Sequence, residues 1–112
     1  QGQTIAVIDT GIKVNHTNFA TAPQDPHFDA AGIQSVLNRY DLCAEERYNG
    51  TLTGATLYHS AKLPFTFNYY AGNTDVSHAN AGSDHGTHVS SIAAGCDSSS
   101  RGVAYNAQII ST

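Results

Sequence analysis

Residues 4–12 of the chain read TIAVIDTGI. The first part, Thr4–Ile8, is a short apolar run rich in β-branched side chains. Such a run predicts a buried strand, covered on both faces, in a mostly parallel sheet. Polar residues then stop the run sharply, which places Asp9 at the carboxyl end of the strand. In open parallel sheets, ligands bind at this edge.

A second informative segment, residues 84–95, reads DHGTHVSSIAAG. Apolar residues recur on one face of a helix here, at Val89, Ile92 and Ala93. Ser83 or Asp84 can cap a helix that begins near His85. Gly95 is expected to end this helix in the left-handed conformation.

Local patterns predict three further elements. Apolar residues at helical spacing predict a helix over 30–42, with Asp29 as its cap. The aromatic run over residues 65–70 is typical of a strand, and residues 107–112 form a second apolar strand. The remaining segments are polar or rich in turn residues and are interpreted as loops: 13–28, 47–60 and 71–84.

The order strand, helix, helix, strand implies parallel strands joined by crossover connections. A helix in such a connection runs antiparallel to the strands, so its N-terminus lies at their carboxyl edge. Asp9 and His85 are therefore expected to meet, although they are far apart in the sequence. The predicted fold class is α/β, a partial doubly wound parallel sheet with flanking helices. In a partial sheet, the strand at 107–112 is expected to expose an edge.

Length, charge and cysteine content restrict which kinds of protein this chain can be. A chain of 112 residues accommodates one small domain. The net charge of −4 and the scattered Lys and Arg residues argue against a nucleic-acid or anionic-membrane partner. No run approaches the ~18 apolar residues of a membrane-spanning helix. Cys43 and Cys96 are compatible with one disulfide, and at least equally with two independent thiols.

Asp9 and His85 have complementary chemistry. A neutral imidazole held in one tautomer is a good general base near neutral pH. A carboxylate that accepts the Nδ1 hydrogen holds this tautomer and stabilises the imidazolium formed on proton uptake. Gly86 allows backbone or substrate to approach the ring, and Thr87 offers a hydroxyl in the first helical turn. The alternative interpretation is that Asp9 only caps a turn and His85 only caps a helix.

Six histidines also invite a metal-site interpretation. His78, His85 and His88 lie close in sequence, but the last two are three positions apart without an intervening Glu. Zinc sites with paired histidines use i, i+4 spacing and that Glu, so zinc is the less favoured alternative. Asn73 and Asp75 offer oxygen ligands of the kind that calcium prefers. A plain polar loop is the preferred interpretation of these two residues.

Three motifs resemble, in the same order, those of the subtilisin-like serine proteases, the subtilases. Residues 4–12 are similar to the aspartate motif of that family, and residues 84–95 to its histidine motif. Residues 101–110, RGVAYNAQII, look like the turn and strand that follow. The resemblance implies a subtilisin-like fold in which Asp9 orients the histidine. His85 would be the general base and then the general acid.

The same resemblance implies roles for two neighbouring residues, since Thr10 would support the aspartate and His88 would be structural. None of the ten serines has the context of the serine motif of the family. The nucleophile and the asparagine that stabilises the oxyanion are therefore expected further along the polypeptide. Residues 1–112 would be the N-terminal portion of a peptidase catalytic domain, truncated before its nucleophile and inactive alone.

For the intact protein, the resemblance implies a serine endopeptidase that hydrolyses proteins or peptides. Its partner would be the missing C-terminal part of the catalytic domain. The resemblance further implies an extracellular or cell-envelope location, no required cofactor, and room for a structural calcium ion. Two alternatives remain: a non-catalytic relative that keeps the fold for binding, and a metal-binding domain that uses His78, His85 and His88.

Overall fold

A computed structural model describes residues 2–77 and 84–112 of the chain. Helices and strands alternate along it, as expected for crossover connections. The elements are β1 (Thr4–Val7), a short 3-10 helix (Thr17–Phe19), α1 (Ala30–Arg39), α2 (Cys43–Arg47), α3 (Gly54–Leu57), β2 (Phe65–Thr66), α4 (His85–Ala94) and β3 (Gln108–Ser111).

The three strands form one parallel sheet in the order β1-β3-β2. Thr4–Val7 lies in register opposite Gln108–Ser111, and Phe65 pairs with Ile110. The α/β class and the parallel sheet predicted from the sequence are confirmed. The expectation that the strand at 107–112 exposes an edge is wrong, because β3 is the central strand and has a neighbour on each side.

β1 lies at one side of the sheet and is less buried than its apolar sequence predicts. Within the described ranges it pairs with β3 alone. Val7 is buried in the core, but Ala6 is exposed and Ile8, just beyond the strand, is 85% exposed. The prediction of a strand covered on both faces is therefore wrong for β1. It describes β3 instead, three of whose four residues are buried.

Two hydrophobic clusters cover the two faces of the sheet. Successive side chains of a strand point to opposite faces, and Ile109 and Ile110 of β3 accordingly contact different clusters. Ile109 packs with residues from the loop after β1 and from α4, among them Ile12, Phe19 and Ala94. Ile110 packs against residues from α1, α3 and the aromatic segment, among them Ile33, Leu37, Leu57 and Phe67. Helices therefore flank both faces.

α1 begins where the sequence predicts and ends earlier. The Asp29 carboxylate caps it by accepting a hydrogen bond from the Gly32 N–H at 2.7 Å. Arg39 is its last residue, since Tyr40 adopts an extended conformation with φ −128° and ψ 144°. The single helix predicted over 30–42 is therefore too long, and α2 starts as a separate helix.

The aromatic segment is a strand only at its beginning. After β2, Phe67 is fully buried, whereas Tyr69 and Tyr70 are exposed. The Arg47 guanidinium donates to the carbonyl oxygens of both tyrosines, at 3.1 and 2.9 Å. The strand ends at Thr66, so the strand predicted over residues 65–70 is too long.

Two of the predicted loops contain short helices. The 3-10 helix lies within 13–28, and α3 lies within 47–60. Each has only one turn, which is too short to produce a hydrophobic period in the sequence. Residues 78–83 of the third predicted loop lie outside the described residues.

The two ends of α4 differ from their predicted form. Gly95 has φ −59° and ψ 145°, so it is not left-handed. A Cβ at Gly95 would lie 2.7 Å from the Ser91 carbonyl oxygen, and this close packing disfavours any side chain there. Asp84 occupies the N-cap position without a side-chain cap hydrogen bond. Ser83, the other predicted cap, is not among the described residues.

The first turn of α4 packs directly on the loop that follows β1. A Cβ on Gly86 would lie 2.1 Å from the Gly11 carbonyl oxygen, far inside contact distance. The backbones of the two segments therefore touch, which only glycine permits. This contact places His85, the first residue of α4, beside the carboxyl end of β1.

Gly86→Ala should lower the free energy of unfolding by about 1–3 kcal/mol, the usual cost of overpacking. The loss should occur although alanine is the better helix former by about 1 kcal/mol. Urea unfolding followed by circular dichroism measures the change. Gly32→Ala in α1 is the matched control, because its Cβ would meet no backbone atom and only the side chains of Asp29, at 3.3 Å, and Phe28, at 3.6 Å. Equal destabilisation by the two substitutions would contradict the close approach at Gly86.

Candidate active site

The structure brings Asp9 and His85 together at the carboxyl edge of the sheet. Asp9 follows β1 by two residues, and His85 opens α4. His85 Nδ1 lies 2.9 Å from Asp9 Oδ1 and 2.9 Å from Asp9 Oδ2. One ring nitrogen is thus shared between both carboxylate oxygens. The carboxylate is largely shielded, with 17% of the side chain exposed, whereas 70% of the His85 side chain is exposed.

The surroundings of Asp9 favour its ionised form. The hydrogen bond from His85 is the largest cause that lowers the pKa of Asp9 below the usual 3.8, and the Thr10 N–H, at 2.7 Å from Oδ1, is the next. A carboxylate ionised at neutral pH can only accept hydrogen bonds. The proton between the two side chains is therefore assigned to His85 Nδ1, which makes Nε2 the proton acceptor of the neutral ring.

This arrangement supports acid–base chemistry at Nε2. In the described part of the chain, the hydrogen bonds of the His85 ring all go to Asp9. The exposed ring can take up a proton from a group that approaches from solvent, and the Asp9 carboxylate stabilises the resulting imidazolium. The alternative in which both residues are merely caps does not explain why the two side chains bond to each other.

Thr10 and Thr87 join the two segments that carry this pair by hydrogen bonds. The Gly86 N–H donates to the Thr10 hydroxyl oxygen at 3.1 Å. The Lys13 N–H donates to the Thr87 hydroxyl oxygen at 2.9 Å. The sequence drew attention to the Thr87 hydroxyl but did not indicate which group it bonds to, and it gave no sign of the role of Lys13. No local signal identifies Lys13, since its contribution is a backbone N–H 74 positions from Thr87.

The histidine cluster does not assemble into a metal site in the described residues. His85 is engaged by Asp9, and His88 Nε2 lies 3.7 Å from Asp84 Oδ2. His78 lies outside the described residues. Among residues 2–77 and 84–112, no group of three or more His, Cys, Asp or Glu side chains could hold a metal ion.

The side-chain oxygens Asn73 Oδ1 and Asp75 Oδ1 accept hydrogen bonds from within their own polar loop. The Asp75 N–H donates to Asn73 Oδ1 at 3.0 Å, and Asp75 Oδ1 accepts hydrogen bonds from the N–H and the hydroxyl of Ser77. These bonds from Ser77 lower the pKa of Asp75 below its usual value. The geometry is that of a hydrogen-bonded turn.

An open cavity of about 570 Å³ runs along another flank of α4. Its lining includes Thr87 and His88 from the helix, with Lys13 and His16 opposite, but neither Asp9 nor His85. The Asp9–His85 pair instead combines an exposed imidazole with a largely shielded carboxylate. We therefore define the candidate active site by the pair and not by the cavity.

Two further predictions concern the rest of the chain. Cys43 and Cys96 are both free thiols, which resolves the question that the sequence left open. Every helix in the described part of the chain is too short or too polar to cross a membrane.

Comparison with known families agrees with the geometry. The family model of the subtilases, the S8 peptidases, matches residues 1–112. No curated protein and no solved structure gave a match. The match covers the whole chain, including the segments that carry Asp9 and His85. The chain belongs to the subtilase family.

Proposed function

We propose that this chain supplies the base and its orienting carboxylate to a serine endopeptidase. Membership of the subtilase family supports a serine peptidase function in general. The observation that carries the finer proposal is the contact of His85 Nδ1 with both Asp9 oxygens at 2.9 Å, on a ring that is 70% exposed. A buried or metal-bound histidine would not leave Nε2 open to a substrate.

The proposed reaction is acyl transfer to a serine. Nε2 of His85 removes the proton from the serine hydroxyl as its oxygen attacks the peptide carbonyl carbon. Asp9 stabilises the imidazolium that forms. His85 then gives the proton to the departing amine, and a second cycle with water as nucleophile releases the acyl product.

The nucleophile in this proposal comes from outside residues 1–112, as the resemblance to the family implies. In the described residues, no hydrogen bond joins a serine to His85. Residues 1–112 alone should therefore not hydrolyse peptides. Activity should require the remaining part of the catalytic domain as partner, with proteins or peptides as substrates. An extracellular or cell-envelope location and a structural calcium ion are further parts of the proposal.

In the full-length protein, His85→Ala should lower kcat for a peptide substrate by about a millionfold, the loss found for the corresponding histidine in subtilisin, a member of this family. His88→Ala is the matched control, because it lies one turn further along α4 with the same 70% exposure. It should keep activity within about threefold, since a contact between two exposed side chains, here His88 and Asp84 at 3.7 Å, contributes little to stability. The activities of both variants are measured as peptide hydrolysis with and without a serine-directed phosphonate inhibitor. Full activity of His85→Ala, or inactivity of the correctly folded wild type, would overturn the proposal.

Asp9→Asn should lower kcat by about ten-thousandfold, because an amide does not hold the required tautomer. Asp97→Asn is the control, since Asp97 accepts hydrogen bonds from Ser99 in a separate turn, which lower its pKa as well. It should leave kcat unchanged. Equal losses of kcat from both substitutions would show that the ionised carboxylate of Asp9 has no special role.

The Asp9 carboxylate should also make stability depend on pH. Its pKa is lower in the folded protein than the usual 3.8. Its stabilising contribution is therefore fully present above that value and is lost as the pH falls through the lower folded value. The difference in unfolding free energy between wild type and Asp9→Asn should shrink between about pH 4 and pH 2. Urea unfolding over this range tests it, and a constant difference would contradict the pKa assignment.

A further inference from the structure

In the described part of the chain, the start of α4 has no side-chain cap from its own N-cap residue. An N-cap side chain normally accepts a hydrogen bond from the second or third N–H of its helix. Asp29 and Thr53 do so for α1 and α3. Asp84, at the N-cap of α4, makes no such bond and has φ −91° and ψ 6°, outside the extended conformation of the other two caps.

Thr10, in the loop after β1, provides a hydrogen-bond acceptor for the first turn of α4 instead. Counted from Asp84, Gly86 is the second residue of α4, and its N–H donates to the Thr10 hydroxyl at 3.1 Å. The third residue, Thr87, accepts the Lys13 N–H at 2.9 Å. In an ordinary capping box, the cap and the third residue exchange side-chain-to-backbone bonds within one helix. Here the two halves of that exchange belong to segments more than 70 positions apart.

We propose that Thr10, Gly86, Thr87 and Lys13 form a tertiary capping box that positions His85 against Asp9. Thr10 and Thr87 are its positioning residues. The proposal deepens the proposed function and rests on it for its kinetic readout.

Thr10 is the central residue of the tertiary capping box, because it holds both partners of the pair. Its N–H donates to Asp9 Oδ1 at 2.7 Å, and its hydroxyl accepts from the helix that begins with His85. A shift of the helix relative to the loop after β1 would break the hydroxyl bond first. The bond thus ties the position of the imidazole to that of the carboxylate.

Thr87 closes the tertiary capping box from the helix side. Its side chain is almost fully buried, with 6% exposed, in the first turn of α4. Lys13 follows Ile12, which is fully buried and donates its N–H to the Val76 carbonyl at 2.9 Å. Thr87 therefore bonds to a segment that is already anchored in the core. The loop after β1 and the first turn of α4 are thus joined by two hydrogen bonds, which hold the two segments in one relative orientation.

The test uses the full-length enzyme with Thr10→Val and Thr87→Val, which keep the side-chain shape and remove the hydroxyl acceptor. A misplacement of about 1 Å can reduce turnover on the order of a hundredfold. We therefore expect kcat to fall about ten- to a hundredfold with KM within twofold. Thr10→Ser and Thr87→Ser restore the acceptor and should restore kcat.

Thr53→Val is the matched structural control, because it removes a threonine cap, bonded to the Thr56 N–H at 3.2 Å, from a helix outside the site. It should destabilise the protein without changing kcat. Proton NMR adds a readout independent of turnover: the downfield resonance of the His85 Nδ1 hydrogen should move or vanish in both valine variants and persist in Thr53→Val.

The outcomes separate the two levels of the proposal. If wild-type enzyme hydrolyses no peptide, the proposed function fails, and the NMR resonance still tests the tertiary capping box. If folded Thr10→Val and Thr87→Val retain wild-type kcat and an unchanged Nδ1 resonance, the tertiary capping box has no positioning role. If Thr53→Val lowers kcat as much as they do, the effect is one of general stability and the inference is wrong. If a valine variant fails to fold, Thr10→Ala or Thr87→Ala takes its place: a lower kcat with a moved resonance supports the inference, and unchanged values refute it.

Discussion

The contact between the Gly86 backbone and the Gly11 carbonyl is the constraint on which the site depends. A Cβ there would approach the carbonyl oxygen to 2.1 Å, so the two backbones touch without an intervening side chain. This approach lets His85 reach across to the Asp9 carboxylate at 2.9 Å. A helix displaced by the width of a methyl group would separate the pair. The acid–base chemistry proposed for this edge therefore depends on a steric requirement.

The electrostatics of the pair follow from that packing. Asp9 is shielded and receives hydrogen bonds from His85 and from the Thr10 N–H, which keep its pKa low and its charge in place. The imidazole bonds to Asp9 through Nδ1, and 70% of the His85 side chain is exposed. The same contact thus fixes the tautomer and leaves Nε2 accessible. A subtilase needs both properties in its general base.

Sequence reasoning succeeded where the signal is local and failed where it depends on neighbours. Asp29 was predicted as the cap of α1 and is one, because capping involves residues three positions apart. The prediction that β1 is buried on both faces was wrong, because the strand order decides whether Ile8 faces a partner or solvent. The reason predicted for glycine at position 95, a left-handed backbone, was also wrong. The observed reason is that the Ser91 carbonyl leaves no room for a side chain there.

The sequence by itself determined the residue types, the order of the three strands and of the two longer helices α1 and α4, and the meeting of Asp9 with His85. These follow from apolar periodicity and from the rule that helix starts and strand ends share one edge of a parallel sheet. Only the tertiary structure decided that β3 is central, that the cysteines are unpaired, and that Thr10 caps α4. The reason is that a hydrogen bond between residues 76 positions apart leaves no periodic trace in the chain, and its donor is a backbone N–H that every residue except proline carries.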